Sequence, residues 1–337
     1  MATIKLQGSD QAFEQEPHHD CLLRAGLHAG IGLAYECNSG GCGSCKFELI
    51  EGDVVELWEQ APGLGERDRK KGRKLACQCR AVGDVTIKMR TDDQCRPPVV
   101  PRRFPATLER RHSITDDIIE FRFRGDAPAR FLPGQYAMLR LPDSDSPRAY
   151  SMSNLPNDDG IWEFWIRRKP GGRITQRLFD HLRPGDRVTL DGPYGMAHLQ
   201  PDSPRDILCI AGGSGISPVL SIARGVLLDP RLADRRLHFF FGGRTPADIC
   251  GADQLRALPG ATERLTFQAA ISEPTDGDGW AGPAGFIHDT VAHTLGDTIR
   301  NHECYLAGPP PMVQATTRML LLEQHVPQEQ VHFDRFF

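Results

Sequence analysis

Apolar and polar residues alternate in "ATIKLQG" and "DVTIKMR", at the two ends of the first ninety or so residues. A period of two buries one face and predicts half-buried strands. Between them a helical stretch is expected near 20–30, followed by a segment rich in cysteine and glycine. From about 104 to 200 the runs "DIIEFRFRG", "GQYAMLRLP", "AYSMSN" and "IWEFWIRRK" are short, alternating and separated by Pro, Gly and Asp. Closely spaced strands of this kind predict a small antiparallel barrel. The texture then changes. "DILCIAGGSGISPVLSIARGVLL" reads as an apolar strand, a glycine turn and a helix, and "RLHFFFGG", "RLTFQAAIS" and "ECYLAGPP" repeat the apolar run. Strands alternating with helices predict a parallel α/β sheet.

The chain therefore divides into a first domain at 1–94, a linker at 95–103, a strand-rich domain at 104–202 and an α/β domain at 203–337. The linker lies in "CRPPVVPRRFP", where proline fixes φ and removes donors, so an extended, semi-rigid connection is expected.

Composition narrows the function class. The 337 residues carry a formal charge of −4 with 25% charged side chains, which gives no basic surplus for nucleic acid. The N-terminus has no basic segment followed by an apolar one, and the apolar runs are too short to span a bilayer. A soluble, cytoplasmic protein with no membrane or nucleic-acid partner, working as a monomer, is expected.

Ten cysteines in such a chain point to metal ligands or buried thiols rather than disulfides. Cys209 and Cys21 read as core residues. Cys37, Cys42 and Cys45 follow a C-x4-C-x2-C spacing, with Cys77 and Cys79 further on in "KLACQC". Zinc sites present paired clips, which this spacing does not match. It is the plant-type [2Fe–2S] pattern. Gly40, Gly41 and Gly43 suit a chain that wraps closely around a cluster. Either Cys77 or Cys79 could be the fourth ligand on spacing alone.

Two further segments carry glycine turns. "IRRKPGGRIT" places glycines and cations before a helix expected to start at Thr175, a context that favours a phosphate. Arg167 and Arg173 in it read as a solvated face. "CIAGGSGISPVLS" places Gly212, Gly213, Gly215 and Pro218 between a strand and a helix, as a phosphate-binding turn requires. In "FGGRTPADIC" both Arg244 and Asp248 occupy the ribose-reading region, one suited to a 2′-phosphate and one to a 2′-hydroxyl.

These segments carry resemblances. "LACQC" resembles plant-type ferredoxins, which implies a β-grasp-like fold and selects Cys77 as the fourth ligand. "RAYSMSN" with the later glycine turn resembles the ferredoxin–NADP reductase superfamily. The resemblance implies FAD binding by Arg148 on the pyrophosphate, Tyr150 on the flavin ring and Ser151 near its reactive nitrogen, with Ile166, Gly172 and Thr175 nearby. "AGGSGISP" and "YLAGPPPM" resemble the nucleotide turns of the same superfamily, adding Gly308 and Pro309 to the NAD site. Ala307 stands where a cysteine is usual. "GGRTPAD" resembles NADH-dependent oxygenase reductases and so favours NADH. In the terminal "HFDRFF", Phe336 is the expected aromatic cover of the flavin, with Phe337 second.

The order ferredoxin, flavin, nucleotide resembles reductase components of bacterial multicomponent oxygenases. "YECNSGGCGSCKFELIEGDV", "LWEQAPGL" and "HFDRFF" are similar to those of toluene monooxygenases. The resemblance implies an electron route from NADH through FAD and [2Fe–2S] to a Rieske-type ferredoxin that serves a diiron aromatic monooxygenase, with no side chain acting as nucleophile or base. A reductase for a Rieske ring-hydroxylating dioxygenase is the alternative. A redox sensor without turnover is a third, which the intact nucleotide turns oppose. The basic run "RDRKKGRK" (Arg67–Lys74) reads as a solvated loop or as a surface steering an acidic partner.

Overall fold

The computed structural model describes residues 1–144 and 146–336. These form two compact units: Met1–Arg103 with Asp191–Met196, and Phe104–Leu190 with Ala197–Phe336.

The first unit is a β-grasp-like sheet in the order β2-β1-β7-β3-β5. Its strands are β1 (Ala2–Leu6), β2 (Ala12–Gln15), β3 (Lys46–Glu51), β5 (Lys74–Leu75) and β7 (Val85–Met89). A ribbon of β4 (Val54–Glu56) and β6 (Cys79–Ala81) stands apart from it. The alternating pattern of β1 is realised directly: Ala2, Ile4 and Leu6 are buried and Lys5 is exposed. Helix α1 (Leu22–His28) buries Leu22, Leu23 and Leu27, and a short α2 (Glu66–Lys70) lies at the surface. Cys21 and Cys79 are both buried.

Most of a six-stranded sheet, in the order β11-β10-β13-β8-β9-β12, falls in the second unit. The strands are β8 (Arg102–Ser113), β9 (Ile118–Arg124), β10 (Tyr136–Arg140), β11 (Arg148–Ser151), β12 (Ile161–Arg167) and β13 (Arg187–Tyr194). A bridge between Met152 and Phe164 joins the two edge strands, so the sheet curls into a barrel. Two boundaries differ from expectation. Strand β8 starts at Arg102 and takes the last two residues of the expected linker. Helix α3 (Arg173–Asp180) starts two residues before Thr175, because Gly172 is already extended and takes the N-cap place.

The remaining sheet is parallel throughout, in the order β16-β15-β14-β17-β18. It comprises β14 (Asp206–Gly212), β15 (Leu237–Gly243), β16 (Leu265–Ile271), β17 (His302–Gly308) and β18 (Val331–Arg335). Helices α4 (Ile216–Leu228), α5 (Ala252–Arg256) and α6 (Ala261–Arg264) cover one face; α7 (Ile287–Leu295) and α8 (Pro310–Arg318) cover the other. That double cover is why β14 and β17 are apolar runs rather than alternating strands. Cys209 lies fully buried in β14. No helix among the described residues is long and apolar enough to cross a membrane.

Candidate functional site

The cysteines come together in the first unit. Cys37, Cys42 and Cys45 lie on the loop between α1 and β3, and Cys77 on a single 3-10 turn after β5. The sulfurs form two pairs. The Cys42 thiol donates to Cys37 and holds Cys37 down to about 5, while Cys42 itself is pushed up. A hydrogen bond with Cys45, and then burial, pushes Cys77 up. Backbone donors face the sulfurs: the Cys42 amide is 3.3 Å from Cys37 Sγ and the Ser44 amide 3.4 Å from Cys42 Sγ. Gln78 Nε2 lies 3.7 Å from Cys77 Sγ. Four sulfurs in two pairs, ringed by donors, fit a cluster of two irons held by four thiolates.

The loop keeps this shape for steric reasons. Gly43 has φ +80°, and a Cβ there would lie 2.4 Å from the Gly63 carbonyl oxygen. Gly40 has φ +89° and accepts from the Gly63 amide at 2.9 Å. Gly41, expected to help, has no left-handed backbone. Two residues that sequence reasoning missed brace the loop from behind. Asn38, buried at φ 51°, accepts from Arg24 Nη1 at 3.1 Å. Arg24 is buried on α1 and also meets Asp20 at 3.4 Å and Asp191 at 3.9 Å. An arginine on an apolar helix face was the available signal, since a buried cation needs partners.

Beside Asp191 lies a chain of aromatic donors. The Glu16 amide donates to His19 Nδ1 at 3.0 Å, so His19 carries its proton on Nε2 and donates to His28 Nδ1 at 3.3 Å. His28 Nε2 then donates to Asp191 Oδ1 at 2.7 Å, as does the Tyr194 hydroxyl at 2.7 Å. Burial, with help from His28 and His18, lowers His19 to about 4. The ligand atoms of His18, His19 and His28 lie within 4.8 Å of one another. The proton on His19 Nε2 nevertheless leaves that nitrogen unsuited to a metal.

In the second unit, β11 places Arg148 and Tyr150 on one face and Ser151 on the other, opposite Tyr136 of β10. Arg148 is exposed, and its Nη1 donates to Ser146 Oγ at 2.7 Å and the Pro147 carbonyl at 3.0 Å. Tyr150 packs half-buried against the barrel core. Helix α3 has no side-chain cap at Gly172, so its first-turn amides end without one. Thr175 is occupied within the turn: it accepts from the Lys169 amide at 3.1 Å and donates to the Gly172 carbonyl at 3.0 Å. An uncapped helix start and an exposed guanidinium are each of a kind that suits a pyrophosphate. Ile166 is a barrel-core residue, 1% exposed. Arg167 is no solvated residue: it is paired with Asp117 and, at 2.6 Å, with Asp248. Arg173 is exposed as expected.

The glycine turn after β14 is fastened to the barrel by α4. Ser217 Oγ donates to the Ser151 carbonyl at 2.7 Å and accepts from the Trp165 amide at 3.1 Å. Ser221 Oγ donates to the Asn154 carbonyl at 2.6 Å and Arg224 Nη1 to the Ser153 carbonyl at 2.7 Å. The first turn of α4 thus meets the Ser151 backbone, with Pro218 buried one residue on. Its glycines serve close approach. A Cβ on Gly215 would lie 2.0 Å from the Ala307 carbonyl oxygen, and one on Gly212 would lie 2.3 Å from Met312 Sδ. Gly213 takes φ +54° beside Arg167. The Gly308–Pro309 turn therefore touches the first turn, and the Phe336 amide donates to the Gly308 carbonyl at 3.1 Å. Ser151, both turns and Phe336 converge in one unit. Phe337 lies outside the described residues.

Asp248, expected in the ribose-reading region, is engaged by protein groups. One oxygen takes Arg167, and the other accepts the Arg244 amide at 2.9 Å and the Thr245 amide at 3.1 Å. Burial pushes its carboxyl up, but those amides and the cations outweigh burial and hold its pKa below the usual range. Both oxygens shape the loop. Arg244 remains 62% exposed, with its Nε 3.7 Å from Asp248.

Family models match three stretches of the chain. Residues 4–82 match the 2Fe-2S iron-sulfur cluster binding domain, 105–199 the oxidoreductase FAD-binding domain and 209–318 the oxidoreductase NAD-binding domain. A ferredoxin–NAD(P)+ reductase of Metapseudomonas resinovorans is 45% identical over 94% of each chain. The xylene/toluene monooxygenase electron transfer component of Pseudomonas putida is 32% identical over 100% of this chain and 94% of its own. The solved ferredoxin reductase in carbazole 1,9a-dioxygenase superposes with a TM-score of 0.91, at 40% identity over 100% of this chain and 98% of that one. The chain belongs to the ferredoxin–NAD(P)+ reductases that join [2Fe–2S], FAD-binding and NAD-binding domains as components of oxygenase systems. It is an oxidoreductase, and its cofactors are FAD and a [2Fe–2S] cluster.

Proposed function

We propose that the chain draws electrons from NADH and passes them singly to a Rieske-type ferredoxin that serves a diiron aromatic monooxygenase of the toluene type. When bound, FAD accepts hydride and the [2Fe–2S] cluster carries single electrons, so the redox chemistry belongs to the cofactors. The chain positions and shields them. Cys37, Cys42, Cys45 and Cys77 hold the cluster. Arg148, Gly172 and the start of α3 hold the flavin pyrophosphate, Tyr150 packs on the ring, and Ser151 presents a hydroxyl at it. Gly213, Gly215 and Pro218 with Gly308 and Pro309 form the nicotinamide face, and Phe336 covers the flavin there.

The contacts of Ser217 with Ser151, of the two turns with each other and of Phe336 with Gly308 support the NADH-to-FAD half most strongly. Similarity to the xylene/toluene component over the whole chain supports the monooxygenase assignment. The carbazole dioxygenase reductase, at higher identity, supports a second reading in which a Rieske dioxygenase is served. Purified Rieske-type ferredoxins of both oxygenase classes, offered with NADH, separate the two. Faster reduction of the monooxygenase ferredoxin is expected; faster reduction of the dioxygenase one assigns the chain to the second system.

A further inference from the structure

Among the described residues ten large apolar side chains are exposed, and five of them fall between Ile50 and Val82. Four of these form one surface. Val55 of β4 pairs directly with Arg80 of β6. Side chains alternate along each strand, so Val55, Leu57, Arg80 and Val82 share the outer face of the ribbon, opposite buried Cys79. The Leu57 amide bonds to the Gln78 carbonyl at 2.8 Å and extends that ladder toward Cys77. Trp58 follows, 46% exposed, with its ring 3.2 Å from where a Cβ on Gly40 would stand. The strip thus ends on the cysteine loop itself.

An exposed apolar strip of this kind marks an interaction site. Charge is distributed along it unevenly. The Arg69 guanidinium bonds to the Glu59 and Ala61 carbonyls and anchors α2 beside Trp58. Of the basic run, Arg69 is spent there, Arg73 pairs with Glu48 and Asp68, and Lys74 with Glu56. Arg67, Lys70 and Lys71 are exposed and make no ion pair among the described residues. Exposed Glu59 and Glu66 stand among them, while Glu51, Asp53 and Asp84 flank the far end by Val82.

We propose that Val55, Leu57, Trp58 and Val82 form the docking face for the electron-accepting protein, with Lys70 and Lys71 steering it. Its partner has an apolar contact centred near its own redox group, with carboxylates on the side that meets α2. An electron-transfer contact is small and short-lived, with an apolar centre that brings two redox groups close and a charged rim that orients them. A strip that begins at the cysteine loop meets that need. The face rests on the ferredoxin-reducing function proposed above.

The test uses the full-length holoprotein, a purified Rieske-type ferredoxin as probe, and ferricyanide as a small acceptor. The V55D/V82D variant should lose at least about tenfold in kcat/KM for the ferredoxin while keeping NADH–ferricyanide turnover. K70E/K71E should slow ferredoxin reduction most at low salt. In the unaltered protein, amide exchange at 54–58 and 79–82 should slow when the ferredoxin is added. Equal ferredoxin reduction by V55D/V82D, or protection confined to other segments, overturns the docking face and leaves the function standing. An unaltered protein that reduces neither class of Rieske-type ferredoxin overturns both.

Discussion

The cysteine loop and the glycine turn after β14 are both short and glycine-rich, yet their glycines do different work. In the cysteine loop Gly43 supplies a left-handed backbone and lets the chain close on the Gly63 carbonyl. In the turn after β14 Gly215 sits in ordinary helical backbone at φ −62° and is required because the Ala307 carbonyl would lie 2.0 Å from a Cβ. One glycine folds a loop back on itself; the other lets two turns belonging to different strands touch. Damage should therefore be local in the first region and shared between turns in the second.

The largest effect that sharpens the contrast is loss of a ligand. Cys77→Ser should abolish the cluster's spin-resonance signal and bring protein-acceptor reduction to background, while NADH still drives ferricyanide reduction at the flavin. Gly215→Ala should do the reverse. The cluster signal should stay, and NADH kcat/KM should fall with both turns displaced; overpacking of this kind costs about 1–3 kcal/mol. Gly43→Ala should cost about the same, read as lower cluster occupancy at unchanged NADH affinity. A Gly215→Ala protein with wild-type nucleotide kinetics would remove the contact argument.

Asp248 gives an effect of similar size and a clear sign. Because its oxygens hold Arg167 and two amides, Asp248→Asn should weaken NADH and NADPH use alike, by about 1–3 kcal/mol. A selective loss of NADH use would restore a ribose-reading role. The smallest effect is in pH. His19 falls from 6.5 to about 4 in the folded chain, so between those values the unfolded chain binds the extra proton. The first unit should lose stability as pH drops through that window, and His19→Gln should flatten the slope seen by thermal unfolding.

Much of this architecture was legible. Strand periodicity marked β1, β7 and the barrel strands, and the continuous apolar runs marked the parallel sheet, because burial on one face or two leaves different patterns. The C-x4-C-x2-C spacing was legible because a cluster demands a ligand spacing, and only the resemblance to plant-type ferredoxins pointed to Cys77 rather than Cys79 as the expected fourth ligand. What stayed hidden depends on contacts between distant segments. Nothing local says that Asp248 meets Arg167, that Ser217 holds Ser151, or that Arg24 braces Asn38. Gly215 announced itself, but its partner Ala307 lies far along the chain.

The central claim is that one chain carries electrons from NADH through FAD to the cysteine-held cluster. Anaerobic titration of the holoprotein with NADH, followed by absorbance and spin resonance together, tests it most directly. The account predicts bleaching of the flavin and cluster bands and a [2Fe–2S] signal that Cys77→Ser abolishes. Flavin bleaching with no cluster signal in the unaltered protein would contradict it.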